Sequence, residues 1–263
     1  MKTLACGRYV FGMLAISAAL FPILLTQGSV ASAAEIKVLS ATALPPVLSA
    51  ITAEFERSSG HKLVIAYDTA GAVKNRIQGG EIADVAITVT PQIEDLVKQG
   101  KIAGDSRIVV AKVGLGVAVR LGAPKPDLGS VEAFKRSMLA AKSILYSDPA
   151  GGGEAGIQFA QVLDRLGIAA DMKPKTKLIR GVSTMELIAK GEAEIGVTQI
   201  SLIIGAPGVE LVGALPAELQ RYTMFSAGVV TGAKEPEAAK ALLKFLTSPA
   251  AISVIKAKGM EPG

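Results

Sequence analysis

Residues 36–100 read IKVLSATALPPVLSAITAEFERSSGHKLVIAYDTAGAVKNRIQGGEIADVAITVTPQIEDLVKQG. Ile36 to Ser40 is a short apolar strand, and the turn Ala41 to Pro46 follows it. Pro46 suits the first turn of a helix, where its missing N–H costs nothing. The helix then places Val47, Ile51 and Phe55 on one face and ends at Gly60. Lys62 to Tyr67 is the next strand, Asp68-Thr69-Ala70-Gly71 the next turn, and AVKNRIQGG the next helix. Ala83 to Thr88 and Pro91 to Gln99 give the strand and helix of a third unit. Three strand–turn–helix units in succession predict an α/β fold with mixed, mostly parallel sheets flanked by helices. In such sheets small ligands sit beyond the carboxyl ends of the strands, facing helix N-termini.

The N-terminal side is different in kind. Lys2 and Arg8 precede an apolar stretch from Tyr9 to Leu25, which is shorter than the roughly 20 residues a bilayer span needs. Ala31-Ser32-Ala33 then offers a signal-peptidase site, so residues 1–33 are expected to be a cleaved export signal and the protein to be periplasmic. The single cysteine, Cys6, leaves with that signal, which excludes disulfides and thiolate metal sites from the mature chain.

On the C-terminal side, Arg107 to Arg120 and Arg221 to Val230 are two long β-rich runs. They bracket a further α/β block with a strand at Ser143 to Tyr146, a Gly-rich turn at Ser147 to Gly153 and a helix from Glu154 to Leu166. Another unit follows from Lys177, with Gly181-Val182-Ser183 at its turn, and a last strand, Ile195 to Thr198, ends at Gln199. The helix EPEAAKALLKFLTSPAAISVIKAKG closes the chain. Two crossings between blocks imply two lobes with a cleft between them: residues 34–116 with 217–263, and residues 117–216.

The chain has 28 basic and 23 acidic residues, and two of the basic ones belong to the leader. The small positive balance suits a protein that attracts anions and is too weak for a nucleic-acid footprint. The absence of tryptophan argues against stacking platforms for bases or sugars. His61 is the one histidine and reads as a solvated loop residue. With no second histidine and no mature cysteine, His-activated nucleophiles and His/Cys metal sites lack their parts, so no catalytic residues, metal or cofactor are expected and the chain reads as a non-enzyme. Gly151-Gly152-Gly153-Glu154-Ala155-Gly156 matches G-x-G-x-x-G literally. The acidic partner ~20 residues on is represented only by Asp171 in a polar loop. A dinucleotide site, a purely structural turn and an anion-binding turn all remain open for this segment.

Four turns carry the preferred reading. Thr42 and Ala43, then Thr69, Ala70 and Gly71, then Gly153, Glu154 and Ala155, then Gly181, Val182 and Ser183 each follow a strand and start a helix. Each N-terminus offers unpaired N–H groups and the positive end of a helix dipole, and small residues let an anion approach the backbone. Two turns fall in each lobe, so closure would surround one small anion.

At these turns the chain resembles the periplasmic molybdate-binding proteins, within the type II solute-binding proteins of ABC importers. The resemblance is carried by IKVLSATALPPVLSAITAEFERSSG, GAVKNRIQGGEIADVAIT, YSDPAGGGEAGIQFAQVLDRLG, LIAKGEAEIGVTQ and FLTSPAAISVIKAKG. It implies two α/β lobes joined by two crossover strands, closure around an oxyanion held by neutral donors, a membrane permease as partner, and a monomer. This sequence has Ala43 where the family has a serine, Thr69-Ala70-Gly71 where it has a Ser-rich turn, and Gln199 where it has a tyrosine. With those hydroxyls missing, a buried tetrahedral dianion would carry a large desolvation cost. Arg180 and Lys74 could instead pair with carboxylates, Arg bidentately, making a small di- or tricarboxylate the rival ligand.

Overall fold

The computed structural model describes residues 33–263 and the isolated Thr3. The expected leader, with Cys6, lies outside the described residues except for Thr3 and Ala33. The described chain runs β1 (Glu35–Ala41), α1 (Pro45–Ser59), β2 (Lys62–Asp68), α2 (Ala70–Gln78), β3 (Val85–Val89), α3 (Thr90–Lys98), β4 (Ile108–Val113) and β5 (Leu115–Arg120). It continues with α4 (Val131–Ala140), β6 (Ile144–Ser147), α5 (Glu154–Arg165), α6 (Ala169–Met172), β7 (Thr176–Ile179), α7 (Thr184–Ala189), β8 (Ile195–Gln199) and α8 (Ile200–Ile203). It ends with β9 (Val209–Ala214), β10 (Thr223–Val229), α9 (Pro236–Leu246), α10 (Pro249–Ala257) and β11 (Glu261–Pro262).

These strands form two sheets. The first has six strands in the order β11-β4-β10-β3-β1-β2, and the second has five in the order β7-β6-β8-β5-β9. β1 runs parallel to β2 and β3, and β6 runs parallel to β7 and β8. β10 and β5 are the antiparallel members at the heart of each sheet. The parallel strands sit between helices on both faces, so β3 reads VAITV and is buried throughout, as a doubly covered strand must be. Separate cores lie beneath each sheet: Phe55, Leu48 and Leu242 belong to the first, and Phe134, Phe159 and Val162 to the second. The architecture is the two-lobed α/β arrangement expected.

The chain passes from the first sheet to the second between β4 and β5, with Gly114 between them, and returns between β9 and β10. Gln220, on the return segment, clasps this joint. Its Oε1 accepts from Leu115 N at 2.8 Å and its Nε2 donates to Leu115 O at 2.7 Å. A Cβ at residue 114 would lie 2.8 Å from the Gln220 carboxamide carbon, so the clasp needs the glycine.

Two local expectations need correction. The closing helix is two helices, α9 and α10, bent by 59°. Pro249 cannot continue α9, and Ser248 caps the new helix by accepting from Ala251 N at 3.3 Å. The strand β9, at the edge of the second sheet, was not anticipated; it is half-buried and lies between glycine- and proline-containing turns, so its apolar alternation is weak.

Candidate functional site

The strand ends of both sheets open into one cleft of about 620 Å³, lined by the C-terminal ends of β1, β2, β6, β7 and β8 and the turns after them. Its lining includes Thr42, Ala43, Thr69, Ala70, Gly153, Glu154, Ala155, Arg180, Gly181, Val182, Ser183 and Gln199. Gly71 lies just behind this lining, where the lobes touch. A Cβ on it would lie 3.7 Å from Gly152 Cα, and Gly152 has a φ of 74°. The lobes also meet where Ser201 Oγ donates to Ala43 O at 3.1 Å.

The four turns are unequal as donors. At the first, Thr42 N is spent on Asp68 O, Leu44 N on Ala41 O, and Pro45 and Pro46 have no N–H to give. Ala43 N is left without an acceptor among the described residues. At the second, Thr69 accepts from Ala72 N as the N-cap of α2, leaving Ala70 N and Gly71 N facing outward from the helix start. At the third, Gly153 caps α5 without a side chain, and the first-turn N–H groups of Glu154 and Ala155 stay open. The fourth turn opens the six-residue helix α7, with Ser183 at the N-cap making no side-chain capping bond.

The glycine-rich segment is explained by packing. A Cβ on Gly156 would fall 1.8 Å from Ser147 O, so α5 rests directly on β6 and only glycine fits. Pro149–Gly151 forms a single 3-10 turn closed by Gly152. The acidic residue of this turn, Asp148, is already committed: Oδ1 accepts from Ala150 N at 2.9 Å and Oδ2 from Arg180 Nε at 2.7 Å. Those bonds, the backbone one foremost, hold the Asp148 carboxyl below its usual range.

Arg180 is the only cation lining the cleft among the described residues, and three carboxylates, Asp68, Asp148 and Glu154, line it as well. Its stem lies against Gly151, and Nε is tied to Asp148. The two terminal nitrogens, with no partner among the described residues, remain free to act as a fork. Lys74 does not reach the cleft; it pairs with Asp95 at 2.8 Å. His61 stands far from this chemistry, half-buried and accepting from Ala34 N at 3.2 Å.

Several lining groups went unnoticed in the sequence. Tyr67, from the end of β2, is half-buried, and that burial pushes its phenol up. Met185, Leu202 and Phe225 bring apolar surface. Their signal was available only as positions at strand or helix ends, because nothing in the sequence says which of those ends face the cleft.

A cleft between two α/β lobes, walled by helix N-termini and closed by interlobe contacts, defines a ligand-capturing protein of the two-lobed binding-protein class. Residues 36–261 match the family described as bacterial extracellular solute-binding protein, and the chain belongs to that family. It is 34% identical over 231 residues to the aconitate isomerase of a Pseudomonas species, covering 86% of this chain and 87% of that protein. It is 31% identical over 243 residues to the molybdate-binding protein ModA of Azotobacter vinelandii, covering 87% and 90%. The solved periplasmic molybdate-binding protein of Azotobacter vinelandii superposes with a TM-score of 0.74 at 24% identity, over 87% of this chain and 99% of that one.

The similarity to an isomerase overturns the expectation of a non-enzyme. The lack of histidine and cysteine pairs excludes only chemistries built on those residues. A proton transfer needs no more than one suitably placed carboxylate, and the cleft has three.

Proposed function

We propose that the cleft takes a small organic tricarboxylate of the aconitate type and interconverts its double-bond isomers outside the cytoplasm. The observation that carries this reading is the Arg180 fork, pinned by Asp148 and left with two free terminal nitrogens at the cleft wall. A planar guanidinium can hold a carboxylate through two parallel N–H···O bonds. The volume of about 620 Å³ and the apolar side chains of Met185, Leu202 and Phe225 suit an organic body. The open N–H groups of Ala70, Glu154 and Ala155 would take the remaining carboxylates.

The test is proton NMR of the full chain incubated separately with cis- and trans-aconitate. Growth of the other isomer from either side supports the reading, and two unchanged spectra refute it.

A second reading is favoured by the same open backbone donors: capture of a molybdate-like oxyanion by a periplasmic monomer that delivers it to the membrane permease of an ABC importer. A thermal-shift panel separates the two, since a ligand that binds the folded state alone must raise the melting temperature. Stabilisation by molybdate or tungstate with no response to carboxylates would favour the oxyanion.

A further inference from the structure

Of the three carboxylates lining the cleft, two are tethered to guanidinium groups. Asp148 accepts from Arg180 Nε at 2.7 Å, and Asp68 from Thr69 N at 2.8 Å and Arg76 Nη1 at 3.4 Å. Glu154 has no cation within ion-pair reach among the described residues. Its one side-chain partner is a neutral amide: Gln158 Nε2 donates to Glu154 Oε1 at 3.0 Å.

That amide is firmly placed. Gln158 is 8% exposed, one helical turn beyond Glu154 on α5. Its other N–H goes to Thr223 Oγ1 at 2.9 Å, on the first residue of β10, which belongs to the other sheet. Its Oε1 has no partner among the described residues. A buried acceptor left unpaired is unusual enough to require a reason. Turning the amide over would set its oxygen against the Glu154 carboxylate, so the unpaired oxygen accompanies an amide whose two N–H groups are both used, one on Glu154 and one on Thr223.

We propose that Glu154 is the catalytic base of the isomerisation and that Gln158, anchored on Thr223, is its positioning residue. This rests on the tricarboxylate reading above. The Glu154 carboxylate removes a proton from the methylene carbon that lies between a carboxylate and the double bond. The C–H electron pair spreads over the allylic system and the adjoining carboxylate oxygens. Glu154 then delivers a proton, either the one it removed or one exchanged with water at its carboxyl, to the far carbon of the former double bond, and the double bond moves by one position. The conformation about the single bond held at deprotonation sets the geometry of the new double bond. No atom or electron is gained or lost, so no co-reactant is needed. Tyr67, whose phenol burial keeps protonated, does not compete as a base. Arg180 and the helix N-termini stabilise the charge that spreads onto the carboxylate oxygens.

The experiment follows the methylene protons of aconitate by NMR in deuterium oxide, with affinity measured in parallel by calorimetry. Glu154→Gln is expected to lower proton exchange and isomerisation at least about 100-fold, the usual worth of a general base, while affinity changes less than about threefold. Glu154→Asp, which withdraws the carboxylate by one carbon, is expected to keep a measurable remnant of exchange and serves if the glutamine variant does not fold. Gln158→Met should lower kcat with KM unchanged, a split that a merely structural role would not produce. The proposal is overturned if Glu154→Gln exchanges protons within about threefold of the native chain, or if it loses activity only by losing affinity. It is also overturned, with only tricarboxylate binding left standing, if the native chain binds aconitate without isomerising it or exchanging its protons. A native chain that does not bind aconitate overturns the reading beneath it, and the proposal with it.

Discussion

Gly156→Ala tests whether the third turn is positioned by backbone contact. The added Cβ would meet Ser147 O at 1.8 Å, Ser147 C at 2.8 Å and Ser147 Oγ at 2.8 Å. An ordinary carbon–oxygen contact is about 3.2 Å or longer, so roughly 1.4 Å must be found somewhere. β6 cannot supply it, because it is paired on one side with β7 and on the other with β8. α5 must therefore lift from the sheet, loosening Phe159, Val162 and Leu163 in the second core. Overpacking of this kind reaches about 3 kcal/mol, and alanine returns about 1 kcal/mol as the better helix former. The net loss of about 2 kcal/mol corresponds to a Tm lower by about 4–8 °C for a chain of this size. The same displacement carries Gly153, Glu154 and Ala155 about 1 Å from place, a misplacement that can cost about 100-fold in turnover. Differential scanning calorimetry and the isomerisation assay read the two effects. A variant within about 1 °C of the native Tm and with full turnover would refute the account of this segment as a packing constraint.

Three further outcomes are expected. Arg180→Lys keeps the charge and loses the fork, and Arg180→Ala loses both. Affinity for a tricarboxylate should fall in that order, with the alanine variant weaker by about 1.5–3 kcal/mol, roughly 10- to 150-fold by calorimetry, and equal affinities would contradict a bidentate role. Asp148, whose carboxyl is held low, stabilises the fold at neutral pH, and that contribution is lost as pH falls through the ordinary carboxylate range toward its lowered value. Urea unfolding between pH 7 and pH 3 should cost the native chain more than Asp148→Asn, and parallel losses would refute the assignment. Gly71→Leu would drive a side chain into the Gly152 contact between the lobes. Ligand-induced compaction by small-angle scattering should disappear while Tm without ligand stays within about 2 °C, and unaltered compaction would show that the contact does not govern closure.

The strand–turn–helix units of residues 36–100 were legible because their apolar residues repeat at clean strand and helix periods and their turns carry proline and glycine. The same periodicity misled at the C-terminus: the apolar pattern runs on from α9 into α10 and hides the break at Ser248-Pro249. β9 escaped because a half-buried edge strand has little alternation to read. Within the cleft, the small residues of the turns could be found from strand ends alone. The pairing of Arg180 with Asp148, and of Gln158 with Thr223, joins residues far apart in sequence and needs the folded chain. The non-enzyme expectation failed for a related reason. Histidine and cysteine chemistry leaves motifs, whereas a single carboxylate taking a proton from a bound acid leaves none.

The most direct measurement is calorimetric titration of the full chain with trans-aconitate and, separately, with molybdate. Binding of the tricarboxylate is expected, strongly weakened in Arg180→Ala, with little or no heat from molybdate. Tight molybdate binding, with no response to aconitate, would contradict it.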